Sequence, residues 1–381
     1  MRVLILHSRY LSGATSGENR VVDDEARLLT EAGHQVDVWD PSPGDTSGIG
    51  LVGTAARAIW SKEARDHVRG LIRRSSAEIV HCHNLFPLLS PAVLRAARSE
   101  DAAVVMTLHN YRLLCLPATL IRDGRVCEDC LGRAPWPGVV HACYRGSRLG
   151  SATLATSLTL HKAIDTFDQV KAYLAVSRFV RDKHVEAGWP GDRIHVKSNF
   201  AWKSEMREGP GRYFLYLGRL SPEKGVATLL RAWRGSSAHL LIVGDGPAAR
   251  VLEREAPPNV EFRSAVSADE VPALIQQARA VLVPSQSYEG QPRTILEAYA
   301  AGVPVVASDI GALPEAVLGD SGLLVPPADA DAWAGAVERL LDDRESERLG
   351  EGAVQLWRDR YSPERALEHL ETAYRLALAS G

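Results

Sequence analysis

At 381 residues the chain exceeds one ordinary α/β domain and suits two, and 45% hydrophobic with 24% charged residues excludes a disordered or fibrous protein. A formal net charge of −3 removes any general attraction to nucleic acid. No apolar run approaches the ~20 residues of a membrane span, and the apolar part of the opening MRVLILHSRY is too short for an export signal, so a cytoplasmic protein is expected.

Short apolar, β-branched runs alternate with helical spacing along the whole chain. Arg2–Leu6, Gln35–Trp39, Glu78–His81, Ala103–Thr107, Ala172–Val176 and Ile194–Val196 are predicted strands. Between them, Val21–Ala32 and Ala55–Arg74 carry helical spacing, and Gly33 stands where a helix should end. The polar, aperiodic stretch Asn199–Gly211 marks a boundary. The alternation then restarts with Tyr213–Leu217, Leu240–Val243, Val260–Phe262, Val281–Val283, Pro304–Ala307 and Leu323–Val325. This pattern predicts an α/β protein of two doubly wound, Rossmann-like domains, residues 1–198 and 199–361, followed by a helix over 362–381. That helix carries an apolar stripe at Ala366, Leu367, Leu370, Ala373, Tyr374 and Ala377. Parallel sheets take ligands at the carboxyl ends of their strands, so two facing sheets would line one cleft.

Positive charge is concentrated in Leu51–Arg74, where Arg57, Lys62, Arg65, Arg69, Arg73 and Arg74 oppose Glu63 and Asp66. A solvated helix face accounts for such a stripe. So does a peripheral contact with anionic lipid on the inner membrane face, or with a diphosphate-bearing acceptor.

The strand ends of the second half carry the chemistry. Tyr213–Leu217 runs through Gly218-Arg-Leu-Ser-Pro-Glu-Lys-Gly225 into a helix, which sets Arg219 and Lys224 beside a helix N-terminus that favours an anion. Gly244-Asp-Gly-Pro247 makes a tight turn after the next strand. After Val281–Val283, Glu289 falls in a loop and Glu297 in the second turn of a helix that starts near Pro292 and ends at Gly302. Two carboxylates eight residues apart across such a junction can reach both ends of one ligand. Singly, each of these residues would pass for a cap or a surface charge.

As an ordered set, these motifs resemble the donor-binding half of retaining glycosyltransferases of family 4, which have the GT-B fold. The segment Ala301-Gly-Val-Pro-Val-Val-Ala-Ser-Asp-Ile-Gly-Ala-Leu-Pro-Glu315 extends the match. The resemblance implies that Arg219 and Lys224 hold the diphosphate of a nucleoside-diphosphate sugar, that Glu297 binds the ribose, and that Glu289 meets the donor sugar. It adds Gly244, Val266, Gln291 and Thr294 to the donor-binding set. In the first half, His109 after Ala103–Thr107 matches the histidine that meets the sugar near the reacting carbon, and Gly17 in Ser16-Gly-Glu-Asn19 matches a Gly-rich donor loop. The resemblance also sends the last helix back to pack on the first domain. Three departures bear on donor identity: Ser16 and Ser264 stand where that family usually has Gly, and Gln291-Pro292 replaces an aromatic-Gly pair.

Four of the five cysteines lie in residues 112–146: Cys115, Cys127, Cys130 and Cys143. A C-x2-C pair flanked by one cysteine on each side has tetrahedral-zinc spacing, so a structural zinc is expected, with His141 as an alternative fourth ligand. Two disulfides or reduced thiols would use the same residues. The segment's Arg112, Arg122, Arg125 and Arg133 suit a phosphate-bearing acceptor. His81 and His83 share a strand face, but no third ligand stands near them in sequence, so a metal pair is not expected. Asp329-Ala-Asp331 has the spacing of a metal-binding acidic pair, yet it precedes a helical run and predicts an N-cap at Asp329. No catalytic metal is therefore expected.

These readings converge on retaining, metal-independent hexosyl transfer from a nucleotide sugar to a hydroxyl acceptor. The acceptor class expected is a cell-surface polysaccharide, glycolipid or other glycoconjugate precursor, lipid-linked acceptors included. The rivals are a GT-B nucleotide-sugar epimerase and a non-catalytic nucleotide-sugar-binding subunit.

Overall fold

A computed structural model describes residues 1–10, 16–41 and 51–380. The chain divides into two compact units: Met1–Leu120, Cys127–Lys197 and Leu367–Gly381 form unit 1, and Ile121–Val126 with Ser198–Ala366 form unit 2.

Unit 1 is built on β1 (Arg2–Leu6), β2 (Gln35–Trp39), β3 (Ile79–Cys82) and β4 (Ala103–Leu108). A two-stranded hairpin, β5 (Ile121–Arg122) and β6 (Arg125–Val126), interrupts the sequence before β7 (Val170–Ala175) and β8 (Ile194–Val196) complete the sheet. The sheet is wholly parallel, in the order β2-β1-β3-β4-β7-β8. Its central strands are mostly apolar because helices cover both faces; all of β3 is buried, His81 included, whereas edge strand β2 is mostly exposed.

Unit 2 repeats the plan with β9 (Tyr213–Leu217), β10 (Leu240–Val243), β11 (Val260–Arg263), β12 (Ala278–Val283), β13 (Val305–Ser308) and β14 (Gly322–Val325). Its parallel order, β11-β10-β9-β12-β13-β14, reverses direction between β9 and β12. Chain direction around such a sheet diverges at that point, leaving a crevice outside the strand ends. One core cluster, including Leu215, Val281 and Tyr299, lies on one face; another, including Trp233 and Trp333, lies on the other.

Local chemistry sets the helix ends. The helical pattern over Ala55–Arg74 is in fact two helices, Leu51–Ile59 and Lys62–Ser75. Ser61 breaks it, because its hydroxyl accepts from the Ala64 N–H at 3.1 Å and so begins a second helix. Four of the six cations of this basic stripe form ion pairs, with three carboxylates between them. Arg57 pairs with Glu63, Arg65 with Asp66 at 2.9 Å, and Arg69 and Arg73 both meet Glu100, at 3.1 and 2.8 Å. Glu100, the third carboxylate, comes from the C-cap of the Ala92–Ser99 helix, out of sequence range of the stripe.

The Pro363–Ala379 helix buries Ala366, Leu370, Ala373, Tyr374 and Ala377, and from Leu367 onward it belongs to unit 1. There Glu371 meets His34 at 3.0 Å, and the Tyr374 hydroxyl bonds His81 Nδ1 at 2.8 Å. Among the described residues no helix is long and apolar enough to cross a membrane.

Candidate active site

In unit 2 the motif residues gather at the β9/β12 switch point. Because β9 pairs with both β10 and β12, the loops that follow the three strands are neighbours. Their backbones touch. A Cβ on Gly225, at φ +74°, would lie 1.9 Å from the Pro284 carbonyl oxygen, and one on Gly244 would lie 1.9 Å from the Gly218 oxygen. Only glycine allows this approach, which explains why glycines punctuate both motifs. The Val226–Trp233 helix starts directly after Gly225, and the Arg293–Ala300 helix starts after Pro292, which is its cap rather than its first residue.

The charged groups are arranged as follows. Arg219 is exposed and forms no ion pair among the described residues. Lys224 Nζ lies 2.6 Å from Glu289 Oε1, which also accepts from the Ser285 hydroxyl at 2.5 Å. The resemblance gave Lys224 and Glu289 separate partners, diphosphate and sugar; here they meet each other, because β9 and β12 are adjacent. Burial pushes the Glu289 carboxyl up, but Lys224 and the Ser285 hydroxyl outweigh it and hold the group below the usual carboxylate range. With 31% and 15% of their side chains exposed, the pair remains open to an incoming anion. Glu297, half-buried, accepts from Arg293 at 3.1 Å one turn back. Gln291 Oε1 accepts from the Asn199 N–H at 2.6 Å. Thr294 is the second residue of the Arg293–Ala300 helix. Val266 is half-buried against the core, and Gly244 lies at the end of β10.

In unit 1, Ser16 caps the Gly17–Glu31 helix, its hydroxyl accepting from the Asn19 N–H at 3.5 Å. This cap gives Ser16 a structural role of its own, and it makes Gly17 the first helical residue. Asn110 donates to Glu18 at 2.5 Å, and Asn19 bonds His7 at 2.8 Å. Beside them, Glu18, His83, Asn84, His109 and Arg112 contribute to the wall of a small cavity of about 30 Å³. His109 Nε2 is 2.8 Å from His83 Nδ1. Burial above all, then neighbouring imidazoles and Lys197, hold both rings neutral, with pKa values well below the ordinary one.

Two residues that sequence reading passed over complete this region. Glu25, fully buried on the Gly17–Glu31 helix, forms an ion pair with the equally buried Lys197 at the end of β8. Glu25 also stands 3.7 Å from His83 and 3.9 Å from His81. The third group that His81 and His83 lacked in sequence thus arrives from a helix more than fifty residues away. A charged residue on the face shared by Val21, Val22, Leu28 and Leu29 was the available signal.

None of the four cysteines of residues 112–146 is in a disulfide; Cys115 is buried and the others are half-buried. Burial raises the Cys115 thiol to about 11, although the backbone N–H groups of Leu120, Thr119 and Ala118 act the other way. Cys130 is raised as well, by burial first. Among the described residues, Glu25, His81 and His83 are the group whose potential ligand atoms lie within 4.8 Å of one another; the four sulfurs do not form such a group. Asp329 caps the Ala330–Leu340 helix, accepting from the Ala332 N–H at 3.0 Å.

Two six-stranded parallel sheets with polar strand ends of this kind define the GT-B class. Over its full length the chain superposes on sucrose-phosphate synthase of Thermosynechococcus elongatus with TM-score 0.73 and 18% identity, covering 100% of both chains. Anabaena HepE in complex with UDP gives TM-score 0.67 at 17% identity, covering 98% of this chain and 99% of that one. The family model "Glycosyltransferase Family 4" matches residues 15–201 and "Glycosyl transferases group 1" matches residues 211–343. The alpha-D-kanosaminyltransferase of Streptomyces kanamyceticus is 30% identical over 359 residues, which cover 88% of this chain and 86% of that protein. O-antigen chain mannosyltransferase C of Escherichia coli is 25% identical with both chains fully covered. The chain belongs to the family 4 glycosyltransferases.

Proposed function

We propose that this glycosyltransferase transfers a hexosyl group from a nucleoside-diphosphate sugar to a hydroxyl of a glycoconjugate acceptor, with retention of anomeric configuration and without a catalytic metal. The observation that carries this reading is the strand-end constellation of unit 2: Arg219, the Lys224–Glu289 pair and Glu297 around the β9/β12 switch point. Arg219 and Lys224, with the N-termini of two helices, neutralise the diphosphate leaving group, the task a divalent cation performs elsewhere. Glu297 accepts from the ribose hydroxyls. Glu289, freed as Lys224 turns to phosphate, accepts from the donor sugar, and His109 of unit 1 takes a further sugar hydroxyl. Gly17, Gly244, Val266, Gln291 and Thr294 complete the donor-binding set.

In the reaction, the bond from the anomeric carbon to the β-phosphate oxygen breaks, and the acceptor oxygen bonds to the same face. The acceptor proton passes to the departing phosphate, so no protein nucleophile is required. Acceptors on lipid carriers fall within this reading, with the enzyme at the cytoplasmic membrane face. We also propose that Cys115, Cys127, Cys130 and Cys143 bind a structural zinc, on the support of their spacing and of the N–H groups aimed at Cys115. Metal analysis tests this second point; purified protein without near-stoichiometric zinc, and with all four thiols titratable, removes it.

A panel of UDP-, GDP-, ADP- and dTDP-sugars tests the reaction. A cognate donor at about 100 times its Kd raises stability by ~2.7 kcal/mol, and the sugar should then appear on an acceptor. Stabilisation followed by epimerised donor alone would identify an epimerase. No stabilisation by any nucleotide sugar would overturn the assignment.

A further inference from the structure

We infer that Glu25 and His83 are positioning residues that fix the tautomer of His109, so that its ring presents an unprotonated Nδ1 to the donor sugar. The inference rests on the proposed role of His109 and goes on to specify which hydrogen bond that ring can make. Glu25 Oε1 is held by Lys197. The other carboxylate oxygen, Oε2, and His83 Nε2 are both buried and have no hydrogen-bond partner, yet they face each other at 3.7 Å. On the far side of the same ring, His83 Nδ1 is 2.8 Å from His109 Nε2.

A neutral imidazole carries one N–H, and its location follows from what each nitrogen faces. A carboxylate oxygen only accepts, so the His83 proton belongs on Nε2. His83 Nδ1 is then an acceptor, His109 Nε2 must donate to it, and His109 Nδ1 keeps its lone pair. The opposite register would set two unprotonated acceptors, Glu25 Oε2 and His83 Nε2, against each other in the interior, where an unpaired polar group is costly. His109 therefore accepts from a sugar hydroxyl and repels a sugar carboxylate, which makes a neutral, hydroxylated hexose the donor class it fits.

The same residues do not read as a metal site. Lys197 already sets a cation on Glu25, and both nitrogens of His81 are bonded, Nδ1 to the Tyr374 hydroxyl and Nε2 to Thr107 Oγ1, each at 2.8 Å.

Imidazole proton–nitrogen correlation NMR on 15N-histidine protein, without substrate, reads the tautomer directly. His109, assigned by its loss in His109→Asn, should be the Nε2–H form. In Glu25→Leu/Lys197→Met, which removes the pair without stranding a charge, and in His83→Phe, both His109 tautomers should be populated. Turnover of a hydroxylated donor should fall about three- to tenfold in either variant, the worth of one neutral hydrogen bond, with acceptor KM unchanged. An Nδ1–H form in the native protein, or a pure Nε2–H form that persists in both variants, overturns the inference. Full activity of His109→Asn with the Nε2–H tautomer confirmed in the native protein would instead overturn the sugar-binding role of His109.

Discussion

Each unit contains a lysine–glutamate pair near the carboxyl ends of its strands, and the two pairs are opposite in kind. Lys224–Glu289 in unit 2 is partly exposed and joins two loops; Lys197–Glu25 in unit 1 is sealed, at 1% and 0% exposure, and joins a strand end to a helix. A pair that water still reaches gains less from its Coulomb attraction than a sealed one, so a diphosphate can replace its carboxylate at lower cost. A buried pair cannot be exchanged in that way. Each charge there is tolerable only because the other is present. One pair can be opened by a ligand, and the other holds groups in place.

Removing one partner should separate the two most sharply. Glu25→Ala strands the Lys197 ammonium and should cost about 3–5 kcal/mol in urea unfolding, with most of the loss recovered in Glu25→Leu/Lys197→Met. A single variant as stable as the native protein would show that the pair is not sealed in solution. Lys224→Ala should cost less in unfolding than Glu25→Ala, because water still reaches Glu289, and should weaken donor binding by about 1.5–3 kcal/mol, the range of a charge-assisted hydrogen bond. Glu297→Ala should behave similarly through the ribose. Calorimetric titration of donor decides both, and unchanged affinity in both would remove the switch-point site.

The pH dependence sharpens the contrast further. The Glu289 pKa is depressed in the folded state, so its contribution is complete above the unfolded value of ~4.3 and is lost as pH falls through the lower folded value. Unfolding stability should thus show no loss from Glu289 protonation between neutrality and about pH 5, as urea unfolding across that range would show. The smallest effect is expected at Asp329, which serves neither pair. Asp329→Ala should cost about 1 kcal/mol of stability as a lost cap and leave steady-state kinetics intact. A kinetic defect there would revive an acidic metal site.

Unit 2 was the more legible in sequence, for a physical reason. Its chemistry lies on loops that follow adjacent parallel strands, so each functional side chain comes a fixed few residues after an apolar run, and glycines mark where the loops touch. What spacing could not show was that Lys224 and Glu289 meet, since that depends on which strands are neighbours in the sheet. Unit 1 hid more. His109 was visible at a strand end, but the groups that orient it come from a helix, a second strand and the chain near residue 197. Burial of Glu25 and Lys197 defies the usual exposure of charged residues, and a pair that far apart leaves no local pattern. Ser61 and Ser16 were legible in principle as caps, and each accounts for a detail that apolar periodicity alone missed.

The return of Leu367 and later residues to unit 1 has a consequence for synthesis on the ribosome. Unit 1 begins to emerge first, yet Tyr374, which bonds buried His81, is translated only after all of Ser198–Ala366. At roughly 5–20 residues per second, those about 170 residues keep the first-made sheet waiting on the order of ten to thirty seconds for the helix that covers it. During that interval the apolar floor that will receive Leu370, Tyr374 and Ala377 is open, and His81 lacks its partner. The nascent first unit is therefore a natural client for chaperones, and its histidine chain takes its final form only after the second unit has been made.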